Sequence, residues 1–323
     1  MQRAEGWDVV IVGGGPAGLS AALVLGRARR SVLVCDKGTP RNWASRHMHG
    51  FITRDGVDPR EFRDLAHQEL ARYDQVELRS AAVVAVSPLK AGGGFEVKLS
   101  RGATVRARKL LLATGVFDRL PSVPGLAKLF GTSVFQCPYC HGWEFRDGAV
   151  AVYGRGKRGF EMARAMTAWT ADIVLCTDGE IVAPTAQRQL QRNGIQVRTA
   201  AIAKLEARGG QLSRIVFRDG EKLARDALFF DTPSAEQSAL SRAIGCEYGD
   251  HGGVKCGQYS STSVPGVYAA GNITRDVQLA IVAAAEGTRA AFGINRALTR
   301  EDFANRADLS SRPTRSGNRP SPT

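Results

Sequence analysis

The sequence predicts an α/β protein made of two Rossmann-like, three-layer nucleotide-binding domains. Three observations lead there. The chain has 323 residues, room for about two domains with buried cores. A strand, glycine turn, helix and strand fill its first 36 residues. The same pattern returns about 140 residues later, too far apart for a short-period repeat protein.

The first unit starts with the apolar run Val9 to Val12, which stops at Gly13. Residues 16–28 suit a helix, and 31–35 (SVLVC) a short buried strand. Two strands joined through a helix imply a parallel sheet. The junction reads Gly13-Gly14-Gly15-Pro16-Ala17-Gly18, a G-x-G-x-x-G. Gly13 allows a tight turn, Gly15 lets backbone approach a pyrophosphate, and Gly18 permits close helix–strand packing. The helix would then offer free N–H groups and its positive dipole end to phosphates, with Pro16 and Ala17 in its first turn. Asp36 ends the second strand, 18 residues after Gly18, placed to accept from a ribose hydroxyl. Strand, helix and terminal acid agree, which favours dinucleotide binding over a purely structural glycine turn.

Two later segments favour FAD over NAD at this first site. Residues 109–115 (KLLLATG) form an apolar strand ending in a turn at Thr114 and Gly115. Residues 266–272 (GVYAAGN) form another, ending at Gly271 and Asn272, and Gln278-Leu279-Ala280 then opens a helix. A helix start there could stabilise negative charge on a reduced isoalloxazine ring.

The second unit has an apolar strand at 149–153, then Gly154-Arg155-Gly156-Lys157-Arg158-Gly159, a helix over 160–169 and a strand over 172–176. After that strand come Thr177-Asp178-Gly179-Glu180. An acid at Asp178 suits a free ribose diol and repels a phosphate.

Of the six cysteines, only Cys137 and Cys140 lie close in sequence. Cys137-Pro138-Tyr139-Cys140 has the spacing of a redox pair, which can open and close with little backbone movement. Half of a zinc site is the rival reading, but no second CxxC exists. His141 follows at once, where an imidazole could move a thiol proton near neutral pH or favour a thiolate. The rival is a histidine bonded to backbone. Cys35, Cys176, Cys246 and Cys256 read as packing residues.

Composition excludes other classes. Hydrophobic residues at 43% and charged residues at 23% describe a globular chain. No run of 18 apolar residues exists, so no membrane-spanning helix is expected. Nothing resembles a signal peptide, so the expected location is cytoplasmic. The formal net charge of +13 raises nucleic acid as a partner. The arginines are scattered and aromatics are only 7%, so no nucleic-acid surface is expected. Residues 303–323 lack apolar periodicity, carry a net +3, and are expected to form a flexible basic tail.

The segments GGGPAG at 13–18, ATG at 113–115, CPYC at 137–140 and YAAGN at 268–272 resemble those of the thioredoxin reductase-like pyridine nucleotide–disulfide oxidoreductases. The resemblance spans nearly everything before the tail. It implies an FAD domain at 1–117 and 246–302, interrupted by an NAD(P)H domain at 118–245 that carries the CxxC. It implies Cys140 as the thiol nearest the flavin and Cys137 as the interchange thiol, with His141 as acid/base. It brings the stretch His47-Met48-His49-Gly50 near the flavin, with His49 and Val83 counted among the residues beside the cofactor. It also implies a homodimer, a thioredoxin-like protein or small disulfide as partner, and rotation of the two domains between half-reactions.

Four departures stand out. Asn272 replaces the usual aspartate, which leaves a hydrogen bond without charge. His141 replaces another common aspartate. The arginines that hold the 2′-phosphate of NADPH are missing after the second strand, so the site prefers NADH over NADPH or is degenerate; Arg155, Lys157 and Arg158 keep the loop basic, which favours retained nucleotide binding. Residues 228–233 (LFFDTP) lack the usual glycine. The leading expectation is an NAD(P)H-linked, FAD-dependent disulfide reductase. The alternative runs the chemistry backwards, because CPYCHG resembles the motif of dithiol oxidases that form disulfides in small molecules with oxygen as acceptor.

Overall fold

The computed structural model describes residues 6–89 and 93–310. The chain starts β1 (Trp7–Val12), α1 (Pro16–Arg27), β2 (Val32–Asp36), the unit expected from the first glycine turn. A long loop leads to α2 (Pro59–Leu70) and β3 (Val76–Ser80). Asp58 starts α2 by accepting from the Arg60 amide, with Pro59 at the first position. Three antiparallel strands follow: β4 (Val83–Pro88), β5 (Phe95–Leu99) and β6 (Thr104–Leu112).

From there the chain crosses through β7 (Val116–Asp118). A second sheet is built from α3 (Leu126–Leu129), β8 (Val134–Phe135), α4 (Pro138–His141), β9 (Val150–Tyr153), α5 (Gly156–Met166), β10 (Ile173–Cys176), α6 (Pro184–Arg192) and β11 (Gln196–Arg198). An antiparallel layer of β12 (Ile202–Arg208), β13 (Gln211–Phe217) and β14 (Lys222–Ala224) precedes β15 (Ala227–Phe230). The chain returns through β16 (Ser234–Glu236), then α7 (Leu240–Ala243), β17 (Val267–Ala269) and the long α8 (Ala280–Ser310).

The first sheet has the order β3-β2-β1-β6-β5-β4. Its strand β6 pairs with β1 along one edge and divides the other between β5, antiparallel along Thr104–Ala107, and β17, parallel along Leu110–Leu112. Alternation puts Val9, Ile11, Val34 and Leu111 on one face, against α1 and α8. Val10, Val12, Leu33 and Leu112 face the other way, against Phe95, Val97 and Leu240. Each such fully buried side chain is worth about 1.5–3 kcal/mol of hydrophobic transfer. The second sheet, β11-β10-β9-β15-β8, is parallel and likewise covered on both faces. The two domains are therefore three-layered, and the second is inserted in the first.

The two crossings pair with each other as an antiparallel ribbon, Val116 opposite Glu236 and Asp118 opposite Ser234. Leu240 and Cys246 pack in the first core. We therefore put the return at 234–236, ahead of the expected boundary at 246. Helix α8 runs to Ser310, so the first eight residues of the expected tail are helical; 311–323 lie outside the described residues. Just before that stretch, Asp302 takes Arg30 at 2.6 Å and Arg108 at 2.7 Å, which ties the helix back to the sheet. Helix α5 starts at Gly156, four residues before the expected start, because the glycine loop itself is its first turn. Among the described residues no helix is long and apolar enough to cross a membrane.

Candidate active site

Strand ends and helix starts meet at the carboxyl edge of the first sheet, where parallel α/β sheets place their ligands. A cavity of about 890 Å³ opens there. Its floor is Gly13, Gly15, Pro16 and Ala17, with Asp36 at one end and Val83, Thr114 and Gly115 along the side. Gly271, Asn272, Gln278, Leu279 and Ala280 form the opposite wall. Cys137, Cys140, His141, His47 and His49 close the far end. All the residues expected to hold FAD line this one cavity except Gly18.

Gly18 sits behind the floor for the reason foreseen: a Cβ there would lie 1.9 Å from the Gly13 carbonyl oxygen. Gly13 itself has φ +113° and would clash with the Ala113 carbonyl at 2.2 Å. Gly15, by contrast, would meet nothing within 4 Å. It is the N-cap of α1, and no side chain caps that helix start. Thr114 Oγ1 is buried without a hydrogen-bond partner among the described residues. Open space, free helix-start amides and an unpartnered hydroxyl together fit FAD. Asp36 accepts from the Gly38 amide at 3.2 Å and from Arg63 at 3.1 Å, which fixes it beside Gly14.

Cys137 and Cys140 form a disulfide, with Cα atoms 5.3 Å apart. Cys137 caps the start of α4 and Cys140 lies within its single turn, where the Cys140 amide donates to Cys137 Sγ at 3.1 Å. That donor stabilises negative charge on Cys137 when the bond opens. His141 stacks on Phe135 at 4.2 Å between ring centroids, and the edge-to-face contact with His49 is 6.0 Å. One ring nitrogen is hydrogen-bonded to the His47 backbone. Burial pushes the imidazole down to about 4, with His49 and His47 adding to the effect, so the ring is neutral near pH 7. It can therefore accept a proton but holds none in reserve to donate. Tyr139 is exposed and meets Trp169 edge-on at 5.4 Å.

A cross-link escaped sequence reasoning. Arg41 donates to both oxygens of Asp118, at 2.6 and 2.7 Å, and also to Gln278. Gln136 donates to the same Asp118 at 3.0 Å. The Asp118 side chain is only 6% exposed, so these bonds are shielded from water. They fasten the loop after Asp36, the crossing strand, the residue before Cys137 and the approach to α8 into one frame. Nothing local links Arg41 to a partner 77 positions away.

The second glycine loop lies outside this cavity. Gly154 and Gly159 pack together, with Gly159's Cβ position 2.4 Å from the Gly154 carbonyl oxygen. Asp178 accepts from Tyr153 Oη (2.9 Å), Arg155 (2.8 Å) and the Ile202 amide (3.0 Å). Arg158 is paired with Asp231 at 2.7 Å, and Glu180 Oε1 lies 3.3 Å from the Cβ position of Gly156. The loop keeps the turn, but both its arginines serve the chain's own carboxylates and a further acid stands over it. This arrangement does not fit the phosphates of NAD(P)H.

The four other cysteines are unpaired. Burial pushes the thiols of Cys35 and Cys256 up to about 11 and that of Cys176 to about 12, so none is a ready thiolate. Cys35 lines the cavity, yet it packs under the sheet edge. No cluster of three or more metal-ligating side chains occurs among the described residues.

Comparison with known proteins agrees with the fold and the disulfide, and differs over the pyridine nucleotide. Residues 7–287 match the family model described as pyridine nucleotide-disulphide oxidoreductase. The chain is 34% identical over 278 residues to the thioredoxin reductase tcpT of Claviceps purpurea (strain 20.1), covering 82% of this chain and 86% of that one. The crystal structure of HlmI superposes with a TM-score of 0.93 at 33% identity, covering 97% of this chain and 98% of that one. An oxidoreductase from Agrobacterium tumefaciens gives 0.84 at 30% identity, with 91% and 99% covered. The family implies the use of FAD and NAD(P)H. The chain thus belongs to the pyridine nucleotide–disulfide oxidoreductases, as a thioredoxin reductase-like flavoprotein enzyme.

Proposed function

We propose that this enzyme oxidises a small dithiol to a disulfide, the reverse of the direction first expected. One observation carries the reading: the flavin cradle shares a single cavity with a closed disulfide and an uncharged imidazole, while both arginines of the second glycine loop are spent on internal ion pairs. A resting disulfide is the form that accepts electrons from thiols. A neutral base is what a thiol must meet to become a nucleophile.

The chain's own groups support these steps. The nitrogen of His141 not engaged by the His47 backbone takes the proton of one substrate thiol. The new thiolate attacks Cys137 Sγ, and the Cys137–Cys140 bond breaks with its electron pair on Cys140. His141 releases the first proton to water and takes that of the second substrate thiol, which attacks the substrate sulfur of that mixed disulfide. Substrate disulfide leaves, and Cys137 departs as a thiolate held by the Cys140 amide. Two electrons now rest on the cysteine pair. FAD, held by the residues of the cradle, would supply a two-electron acceptor beside Cys140. Arg41, Asp118 and Gln136 keep the pair in place over the cradle.

The NAD(P)H-linked reductase remains the second reading, because the Gly154–Gly159 contact and the turn at Gly156 are intact. Oxygen uptake by the purified yellow protein tests the proposal. Small dithiols should drive it, with one disulfide formed per oxygen consumed, and Cys140→Ser should abolish it. Uptake that ignores dithiols, alongside NADPH-driven reduction of a disulfide, would establish the second reading instead.

A further inference from the structure

His49 occupies a built position that the steps above do not use. It comes from the loop between β2 and α2, which is folded back on itself. The Met48 amide bonds the Val57 carbonyl at 2.8 Å, and the Gly56 amide bonds the Met48 carbonyl at 2.9 Å. The Gly50 amide holds Asp55 Oδ1 at 2.8 Å. On this platform His49 Nδ1 faces Asp55 at 3.5 Å and Nε2 faces Glu144 at 3.4 Å. Both carboxylates can be served at once only by an imidazolium, which carries a donor on each nitrogen. Glu144 belongs to the turn that follows the CxxC helix, so the clamp spans the two domains.

His141 lies between Phe135 on one side and His49 on another. The titratable groups facing it are His47 and His49, both from the same loop; Cys137 and Cys140 of its own turn are locked in the disulfide. Those facing His49 are Asp55, Glu144, His47 and His141. Among the described residues no carboxylate acts on His141 itself. Two acids therefore face His49, and the His49 ring stands edge-on to His141.

We infer that His49 is a positioning residue: clamped between Asp55 and Glu144, it holds a positive charge and a ring edge against His141, so that the dithiol meets an oriented base rather than an acid. This rests on the dithiol-oxidising reading for its purpose, but not for its physics. The direction of the downward shift at His141 agrees with it.

The test is a pH titration of the histidine rings in the FAD-loaded protein by NMR. The protein has five histidines, and His141→Asn identifies the His141 resonance. His49→Phe keeps a ring but no charge, and should raise the His141 midpoint by about one unit, the scale of a neighbouring like charge. His49→Lys restores the charge and should return the midpoint to the wild-type value. The acid limb of flavin bleaching by dithiothreitol should move upward with the same variants. A His141 midpoint unmoved in a folded His49→Phe protein would overturn the inference. A wild-type protein that dithiothreitol fails to bleach would instead overturn the proposed function and leave the titration result standing.

Discussion

The two glycine loops share a spacing, a close glycine–glycine contact and an uncapped helix start, and differ in the charges and the space around them. In the first, Gly15 opens onto a cavity, and a Cβ there would meet nothing within 4 Å. In the second, Arg155 and Arg158 are turned onto Asp178 and Asp231, and Glu180 overhangs Gly156. The first loop's neighbours include Thr114, Asn272 and the disulfide; the second's are acids. G-x-G-x-x-G therefore specifies a strand–turn–helix joint, while the surrounding charges decide whether an anion is welcome.

The largest effect should come from breaking the first loop. Gly13→Val forces a β-branched residue into φ +113° and onto the Ala113 carbonyl. It should yield protein without bound FAD, read from the absorption spectrum and by adding FAD back. Gly154→Ala in the second loop would press on the Gly159 backbone at 2.6 Å. It should lower the melting temperature yet retain a full complement of FAD. Equal loss of flavin in both variants would erase the distinction.

Next in size is the frame that joins the first loop to the disulfide. Arg41→Met strands the buried Asp118 carboxylate, a loss on the order of 3 kcal/mol in stability. Bleaching by dithiols should slow by more than about tenfold, since misplacement by an ångström has that cost. Denaturant melts and anaerobic rates check both parts.

His141 gives a pH signature. Its folded-state midpoint is about 4 against an ordinary value of 6.5. The unfolded chain binds this proton more readily, so the contribution to stability is full above pH 6.5 and is lost as pH falls toward 4. The melting temperature of His141→Asn should fall less between pH 7 and pH 4.5 than that of the wild type. Parallel curves would contradict a buried neutral ring.

The smallest effect concerns the second loop. Its ion pairs are half exposed on the arginine side, each worth at most about 1 kcal/mol. Asp178→Asn with Asp231→Asn frees both arginines. NADPH should then bind measurably tighter, by about tenfold or less, in isothermal titration. Wild-type affinity already in the micromolar range would show that the pairs yield to the nucleotide.

Much of this was legible in the chain itself. The buried strands β1 and β2 and the start of α1 follow from Val9–Val12, the glycines and Pro16. The CxxC spacing points to a redox pair once no second CxxC offers a zinc partner and the flavin signals are added. Boundaries were less legible. Residues 303–310 look polar and irregular, yet they prolong a helix whose apolar face has already been used upstream. The frame around Asp118 was not legible at all, since a partner of Arg41 can be found only once β7 and β2 are placed. Nor does Asp178 reveal that Tyr153, Arg155 and the Ile202 amide all converge on it.

Anaerobic mixing of the purified yellow protein with reductants tests the central claim most directly. Electrons should enter through Cys137 and Cys140, so a dithiol should bleach the flavin rapidly while NADH and NADPH leave it oxidised. Rapid bleaching by either pyridine nucleotide, with none by dithiols, would contradict the account.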